Sequence, residues 1–189
     1  MEKLIIGSRG SKLALKYAEI AKKAFLKELD IEIEIKKITT GGDLVLDRRT
    51  SEIGGKGEFI KNIEKELLNK NTDVAVHSLK DVPSVKTKGL RIECFLKRND
   101  PQEVLINKES LTFDKIKKNS VIGTSSLRRE FQLKHLRPDL NFKLIRGNID
   151  TRIKKLDEDQ YDSIILAKAG LMSLALENRI SEVFECKKI

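Results

Sequence analysis

Leu4-Ile-Ile-Gly-Ser-Arg-Gly-Ser11 begins as a short apolar run and breaks at glycine and polar residues, the form of a buried strand entering a turn. Behind it Ala14, Ala18, Ala21 and Phe25 recur at steps of three and four, so one face of a helix is apolar. Ile31, Ile33 and Ile35 then alternate with Glu32 and Glu34, the period of a strand with one wet face. The glycine-rich Gly54-Gly-Lys-Gly57 precedes a second helix with Ile60, Ile63 and Leu67 on one side, and Asp73-Val-Ala-Val-His77 reads as a buried strand. Strand, helix, strand, helix, strand predicts an α/β unit with a parallel sheet and covering helices.

The apolar rhythm stops around Lys97-Arg-Asn-Asp-Pro-Gln102, where Asp100-Pro101 signals a turn. A boundary there divides the chain into a first α/β domain, 1–97, and a second, 98–189. The pattern then restarts. Val121-Ile-Gly123 is a strand end, and Leu127, Phe131 and Lys134 to Leu136 lie on a helix. Phe142 to Ile145 is a strand, and Ile149, Ile153 and Leu156 form a helical face. Ser163 to Ala167 is a strand, with a helix from Leu171 to Leu176.

Of 189 residues, 39% are hydrophobic and 35% charged, enough for a packed core and against wholesale disorder. Lysine and arginine total 38 against 29 acidic residues, and the +9 charge favours an anionic partner. Only 5% of residues are aromatic and tryptophan is absent, so stacking platforms for nucleic acid are scarce and nucleic acid is not the expected partner. Two cysteines make neither a disulfide framework nor a zinc site, and no metal is expected. Cys94, in Ile92-Glu-Cys-Phe-Leu96, reads as a packed core thiol, and Cys186 as an inert residue near the end. No signal peptide or membrane-length apolar run is evident, so the expected setting is cytoplasmic, without membrane contact.

Gly123-Thr-Ser-Ser-Leu-Arg-Arg129 places three hydroxyls and two arginines where a strand hands over to a helix. Free backbone N–H groups there favour an anion, although Ser125 or Ser126 as a simple helix cap explains the hydroxyls equally well. Arg146-Gly-Asn-Ile-Asp-Thr-Arg152 repeats the arrangement after the next strand, with Asn148 or Asp150 as its cap. Carboxyl ends of neighbouring parallel strands lie side by side, so both turns should open on one crevice. With Arg9 and Ser11 after the first strand, the balance tips toward a polyanion site. Lys80 and Asp81, in His77-Ser-Leu-Lys-Asp-Val-Pro83, read first as a structural pair, although Asp81 is suited to stabilise a cationic intermediate. His77 reads as a satisfied, buried histidine. Gly54 to Gly57 lacks the full phosphate-loop pattern.

Six of these segments, in order, resemble the porphobilinogen deaminase (hydroxymethylbilane synthase) family. They are Ser8 to Leu15, Gly54 to Gly57, His77 to Pro83, Gly123 to Arg129, Arg146 to Asn148 with Thr151 and Arg152, and Ile164 to Ala167 with Ala169 to Leu171. The resemblance implies two periplasmic-binding-protein-like (type II) domains with a cleft between them, and a third α+β domain. It implies stepwise deaminative condensation of four porphobilinogen molecules into a linear tetrapyrrole, built on a dipyrromethane cofactor. Carried over by motif, Asp81 is the catalytic residue. Lys80, Ser126, Arg128, Arg129 and Arg152 contact the cofactor. Arg9, Ser11, Lys56, Thr124, Ser125 and Arg146 bind the carboxylates of porphobilinogen or the growing oligopyrrole.

Three departures qualify the resemblance. The sequence ends at Ile189, before the segment that returns to the first domain and before the third domain with its cofactor-bearing cysteine, and Cys186 lies outside the family's cysteine motif. A separately encoded third domain is the partner this implies, and an unpaired strand edge prone to self-association is expected in the first domain. Ser173 stands where the family usually has arginine, and Glu58 and Asn62 where it has leucine and glutamate. The alternative is a chain that binds acidic pyrrole ligands without turnover.

Overall fold

A computed structural model describes residues 3–40, 60–187 and 189 of the chain. The Cα positions fall into two compact units, Met1–Arg98 and Asn99–Ile189, each with its own sheet. In the first unit, β1 (Lys3–Arg9) lies between β2 (Glu32–Ile38) and β3 (Val74–Ala75) and runs parallel to both. Parallel neighbours need a crossover, which α1 (Lys12–Glu28) supplies between β1 and β2. The helix starts where it does because Ser11 is extended and its Oγ accepts the N–H of Ala14 at 3.3 Å. Its apolar stripe buries Ala18 and Ala21, and Ala18 meets Ile6 and Ile33 in the core. Helix α2 (Lys61–Leu68) buries Ile63.

Two features of this unit depart from expectation. The strand predicted over 73–77 is only Val74–Ala75, half-buried, flanked by single bonds from Asp73 N to Ile5 O and Val76 N to Gly7 O. Cys94 is exposed and is not a core thiol. Residues 91–101 are exposed throughout and pair with no strand among the described residues, so Ile92, Phe95 and Leu96 face no second layer.

The second unit corrects the expectation of a purely parallel sheet. Its five strands, among the described residues, run in the order β6 (Asn141–Lys143), β5 (Val121–Gly123), β7 (Ser163–Ala167), β4 (Glu103–Ile106), β8 (Glu182–Val183). β5 is parallel to β6 and β7, whereas β4 is antiparallel to β7 and β8. β4 escaped the sequence reading because all its residues are buried, so its apolar run shows no alternation to mark it.

Alternation reappears in the packing. Val104, Ile106, Ile164 and Leu166 face one core, closed by α4 (Ile149–Asp157) through Ile153 and Leu156. Leu105 and Ile165 face the other, closed by Leu133 of α3 (Leu127–Leu136) with Phe113, Ile116 and Phe184. Helix α5 spans Lys168–Ser173, three residues ahead of the predicted 171–176, because Leu174 leaves the helix and Ala175 turns to φ +55°.

Candidate functional site: an arginine-rich sheet edge and an aspartate pocket

Two strand-to-helix turns stand at one edge of the second sheet. In the first, buried Thr124 donates its N–H to Lys143 O at 3.0 Å, and its Oγ1 accepts the N–H of Ser126 at 3.2 Å. Ser126 in turn caps α3, its Oγ accepting the N–H of Arg129 at 3.4 Å, so it is Ser126 rather than Ser125 that caps. Gly123 permits this close packing, since a Cβ there would stand 2.9 Å from the Tyr161 ring and 3.0 Å from Ile164.

In the second turn, Asn148 holds the cap position of α4 without a side-chain cap bond, and Arg146 is buried. Gly147 has φ +111°, and a Cβ would meet Thr151 Cγ2 at 2.7 Å, so glycine is required twice over. Its carbonyl accepts the Nε–H of Arg152 at 2.8 Å. Lys155 Nζ donates to Arg146 O at 3.2 Å.

The antiparallel course of β4 adds a carboxylate to this edge. Glu103, the first residue of β4, pairs with Ala167 at the carboxyl end of β7. Its side chain is 7% exposed and forms ion pairs with Arg128 Nη2 and, at 2.6 Å, Arg129 Nη2. Arg129 Nη1 also donates to Ile165 O at 3.2 Å.

Cations nevertheless dominate. Desolvation, then the like charges of Arg129 and Arg146, pull the pKa of Arg152 down to about 10, and burial lowers that of Arg146. The Nε of Arg129 is buried without a hydrogen-bond partner. Tyr161 donates its hydroxyl to Leu144 O at 2.7 Å, and burial raises its pKa. An anionic ligand would relieve this concentration of charge.

The first unit carries a separate pocket lined by Arg9, Ser11, Leu13, Ala14, Tyr17, Val76, His77, Ser78 and Asp81. Asp81 belongs to a single 3-10 turn, Leu79–Asp81, just past β3. His77 is half-buried. Desolvation lowers its pKa, against the pull of Asp81 and with the push of Arg9. Among the described residues no ion pair joins exposed Lys80 to Asp81, so the structural pairing first read for them does not form. Lys56 lies outside the described residues.

Glu103 and Tyr17 are the residues the sequence reading missed. Tyr17 lies one helical turn beyond Ala14 on the pocket side of α1. Glu103 offered no signal beyond an acidic residue ahead of an apolar run. Ser173 donates its Oγ–H to Ala169 O at 2.8 Å and is satisfied within its own helix. Among the described residues no acidic, histidine or cysteine cluster suits a metal ion, and no helix is long and apolar enough to cross a membrane.

The fold is that of periplasmic-binding-protein-like (type II) proteins. A periplasmic substrate-binding protein of an ABC transporter from Coxiella burnetii superposes with a TM-score of 0.53 at 12% identity, over 96% of this chain and 79% of that one. A ligand-binding component of an ABC-type import system from Staphylococcus aureus gives 0.50 at 12% identity, over 93% and 58%. Such likenesses concern fold alone.

In sequence, residues 4–189 match the family model described as porphobilinogen deaminase, dipyromethane cofactor binding domain. Porphobilinogen deaminases of Bacillus thuringiensis (strain Al Hakam) and Bacillus cereus (strain B4264) are each 49% identical over 181 residues. These alignments cover 95% of this chain and 59% of each relative, so the chain spans about three fifths of their length. With two motif-bearing turns, a family model matched almost end to end and relatives of this identity, the chain belongs to the porphobilinogen deaminase family.

Proposed function

We propose that this chain binds dipyrromethane and oligopyrrole carboxylates and serves the deaminative condensation of porphobilinogen into a linear tetrapyrrole, in the cytoplasm. The observation that carries the reading is the cluster of Arg128, Arg129, Arg146 and Arg152 on two adjacent turns, with the pKa of Arg152 depressed for want of solvent and counter-charge. Pyrroles bearing acetate and propionate groups present planar carboxylates that guanidinium forks match in geometry as well as charge.

The donor set fits the dipyrromethane implied by the family. Arg128 and Arg152 would hold its carboxylates, with Arg129, Ser126 and Lys80 as further contacts. When bound, that group would supply the free pyrrole carbon to which the first ring is joined, each later ring being joined to the one before it. Arg9, Ser11, Thr124, Ser125, Arg146 and Lys56 would orient the carboxylates of the incoming or growing pyrroles. Asp81, in the pocket with Arg9 and His77, would offset the positive charge that develops on the substrate pyrrole as ammonia leaves. Desolvation lowers the pKa of His77, which lines the same pocket.

Calorimetric titration of the purified chain with a dipyrromethane carrying acetate and propionate groups tests the reading. Arg128→Ala and Arg152→Ala should each weaken binding by about tenfold or more, the order of one charged hydrogen bond. Unchanged affinity in both variants, or tighter binding of RNA at physiological salt, would refute it.

A further inference from the structure

We propose that Glu103 is a positioning residue, which locks Arg129 into the sheet edge and thereby presents Arg128 as the guanidinium that meets a ligand carboxylate. This assignment rests on the function proposed above and divides between two adjacent arginines a role their sequence makes look equivalent.

The division follows from what each guanidinium touches. Glu103 is fixed from both sides by the sheet: β4 pairs with β7 through Glu103 and Ala167, and the N–H of Phe184 donates to Glu103 O at 2.9 Å. Its carboxylate is therefore held in place beneath both arginines. Arg129 is 11% exposed, with Nη2 on Glu103 and Nη1 on the carbonyl of Ile165, so both ends of its fork are engaged by the protein.

Arg128 is 55% exposed. One of its terminal nitrogens is on Glu103, the other donates to Gln132 Oε1 at 3.1 Å, one helical turn further along α3. Each terminal nitrogen of an arginine carries two N–H groups. A guanidinium anchored at both nitrogens still has outward donors, and they are held in a fixed orientation before any ligand arrives. Such preorganisation lowers the entropic cost of a bidentate contact. Charge agrees: Glu103 offsets part of the paired charge of Arg128 and Arg129, and the pair keeps a net positive charge toward the ligand.

The opposite expectation is equally concrete. If Glu103 merely occupied the arginines in place of ligand, its removal would free two cations and tighten binding. A double-mutant cycle separates the two, read as affinity for the same dipyrromethane dicarboxylate by calorimetry. Glu103→Gln should weaken binding about tenfold when Arg128 is present, and by less than about twofold in the Arg128→Ala background.

An equal loss in both backgrounds would show a general structural effect and overturn the proposal, as would tighter binding by Glu103→Gln. Because Glu103→Gln leaves two arginines beside a neutral amide, Glu103→Asp provides a variant that keeps the charge and the fold. It draws the carboxylate back by one methylene, and a several-fold loss confined to the Arg128-containing protein is expected. No loss from Glu103→Asp in that protein, or the same loss in both, overturns the proposal. Absence of binding by the unaltered chain overturns the proposed function and the role of Glu103 together, whereas unaltered binding with additive losses overturns the role alone.

Discussion

Arg152 donates its Nε–H to the carbonyl oxygen of Gly147 at 2.8 Å, and that carbonyl is aimed by a backbone at φ +111° that glycine alone adopts without strain. The bond holds a guanidinium in a desolvated corner, where burial pulls its pKa well below the ordinary arginine value, to about 10. At neutral pH Arg152 stays charged, so the unliganded fold bears a cost that a bound carboxylate removes.

A trade-off between stability and binding is the first prediction. The depressed pKa corresponds to about 3 kcal/mol against the charged form, partly offset by about 1 kcal/mol from the hydrogen bond to Gly147. Arg152→Met, of similar length but uncharged, should raise the unliganded chain's unfolding free energy by about 2 kcal/mol in urea melts. The same change should weaken pyrrole carboxylate binding by about tenfold. A variant less stable than the parent would count against the electrostatic account.

His77 predicts a pH dependence with a defined sign. Its folded pKa lies below the ordinary 6.5, chiefly through desolvation, so the unfolded chain takes up a proton first as pH falls. Unfolding free energy should hold from pH 7.5 down to about 6.5 and decline below it, before most carboxylates titrate. His77→Gln should flatten that decline, measured by urea melts at pH 7.5 and 5.5.

Asp81 should matter for turnover far more than for folding. It sits at a pocket wall on a single turn and forms no ion pair with Lys80. In an enzyme completed by a third domain, Asp81→Asn should cut porphobilinogen consumption by about a hundredfold, in line with the loss of a preorganised charge, and leave the melting midpoint within a few degrees. Equal activity in the two proteins would remove Asp81 from the chemistry.

Arg137 should matter for folding alone. It donates to both carboxylate oxygens of Asp139 at 2.8 and 2.7 Å, and to the carbonyls of Phe113, Asp114 and Ile116. Its guanidinium also lies 5.9 Å from the Phe113 ring centroid. Removing it breaks the two-point pairing with Asp139 and takes a donor from three carbonyls, so Arg137→Ala should cost about 3 kcal/mol of stability in urea melts. Affinity for a pyrrole carboxylate should not change.

Exposed apolar residues on the 91–101 segment predict self-association. Phe95 is 65% exposed and Leu96 48%, on an extended stretch that pairs with no described strand. Sedimentation should show concentration-dependent association that the double variant Phe95→Ser, Leu96→Ser reduces. A chain that sediments as a monomer at high concentration would oppose this.

Local periodicity and turn chemistry settled much of this protein in advance. Ile31, Ile33 and Ile35 declared a strand, the alanine stripe declared α1, and hydroxyl and glycine residues marked both strand-to-helix turns, because each signal depends on neighbours a few residues apart. The signals failed where the deciding partner is distant in sequence. β4 carries no alternation because both its faces are covered, and its direction is set by pairing with β7 and β8 rather than by its own residues. That reversal brings Glu103 to the edge where Arg128 and Arg129 emerge, turning an unremarked glutamate into their shared counter-ion. Cys94 shows the converse: an apolar local sequence implied burial, yet burial needs a second layer, and the described residues supply none there. The residue types fixed which groups are able to bind an anion; only the tertiary pairing decided which of them are already engaged by the protein itself.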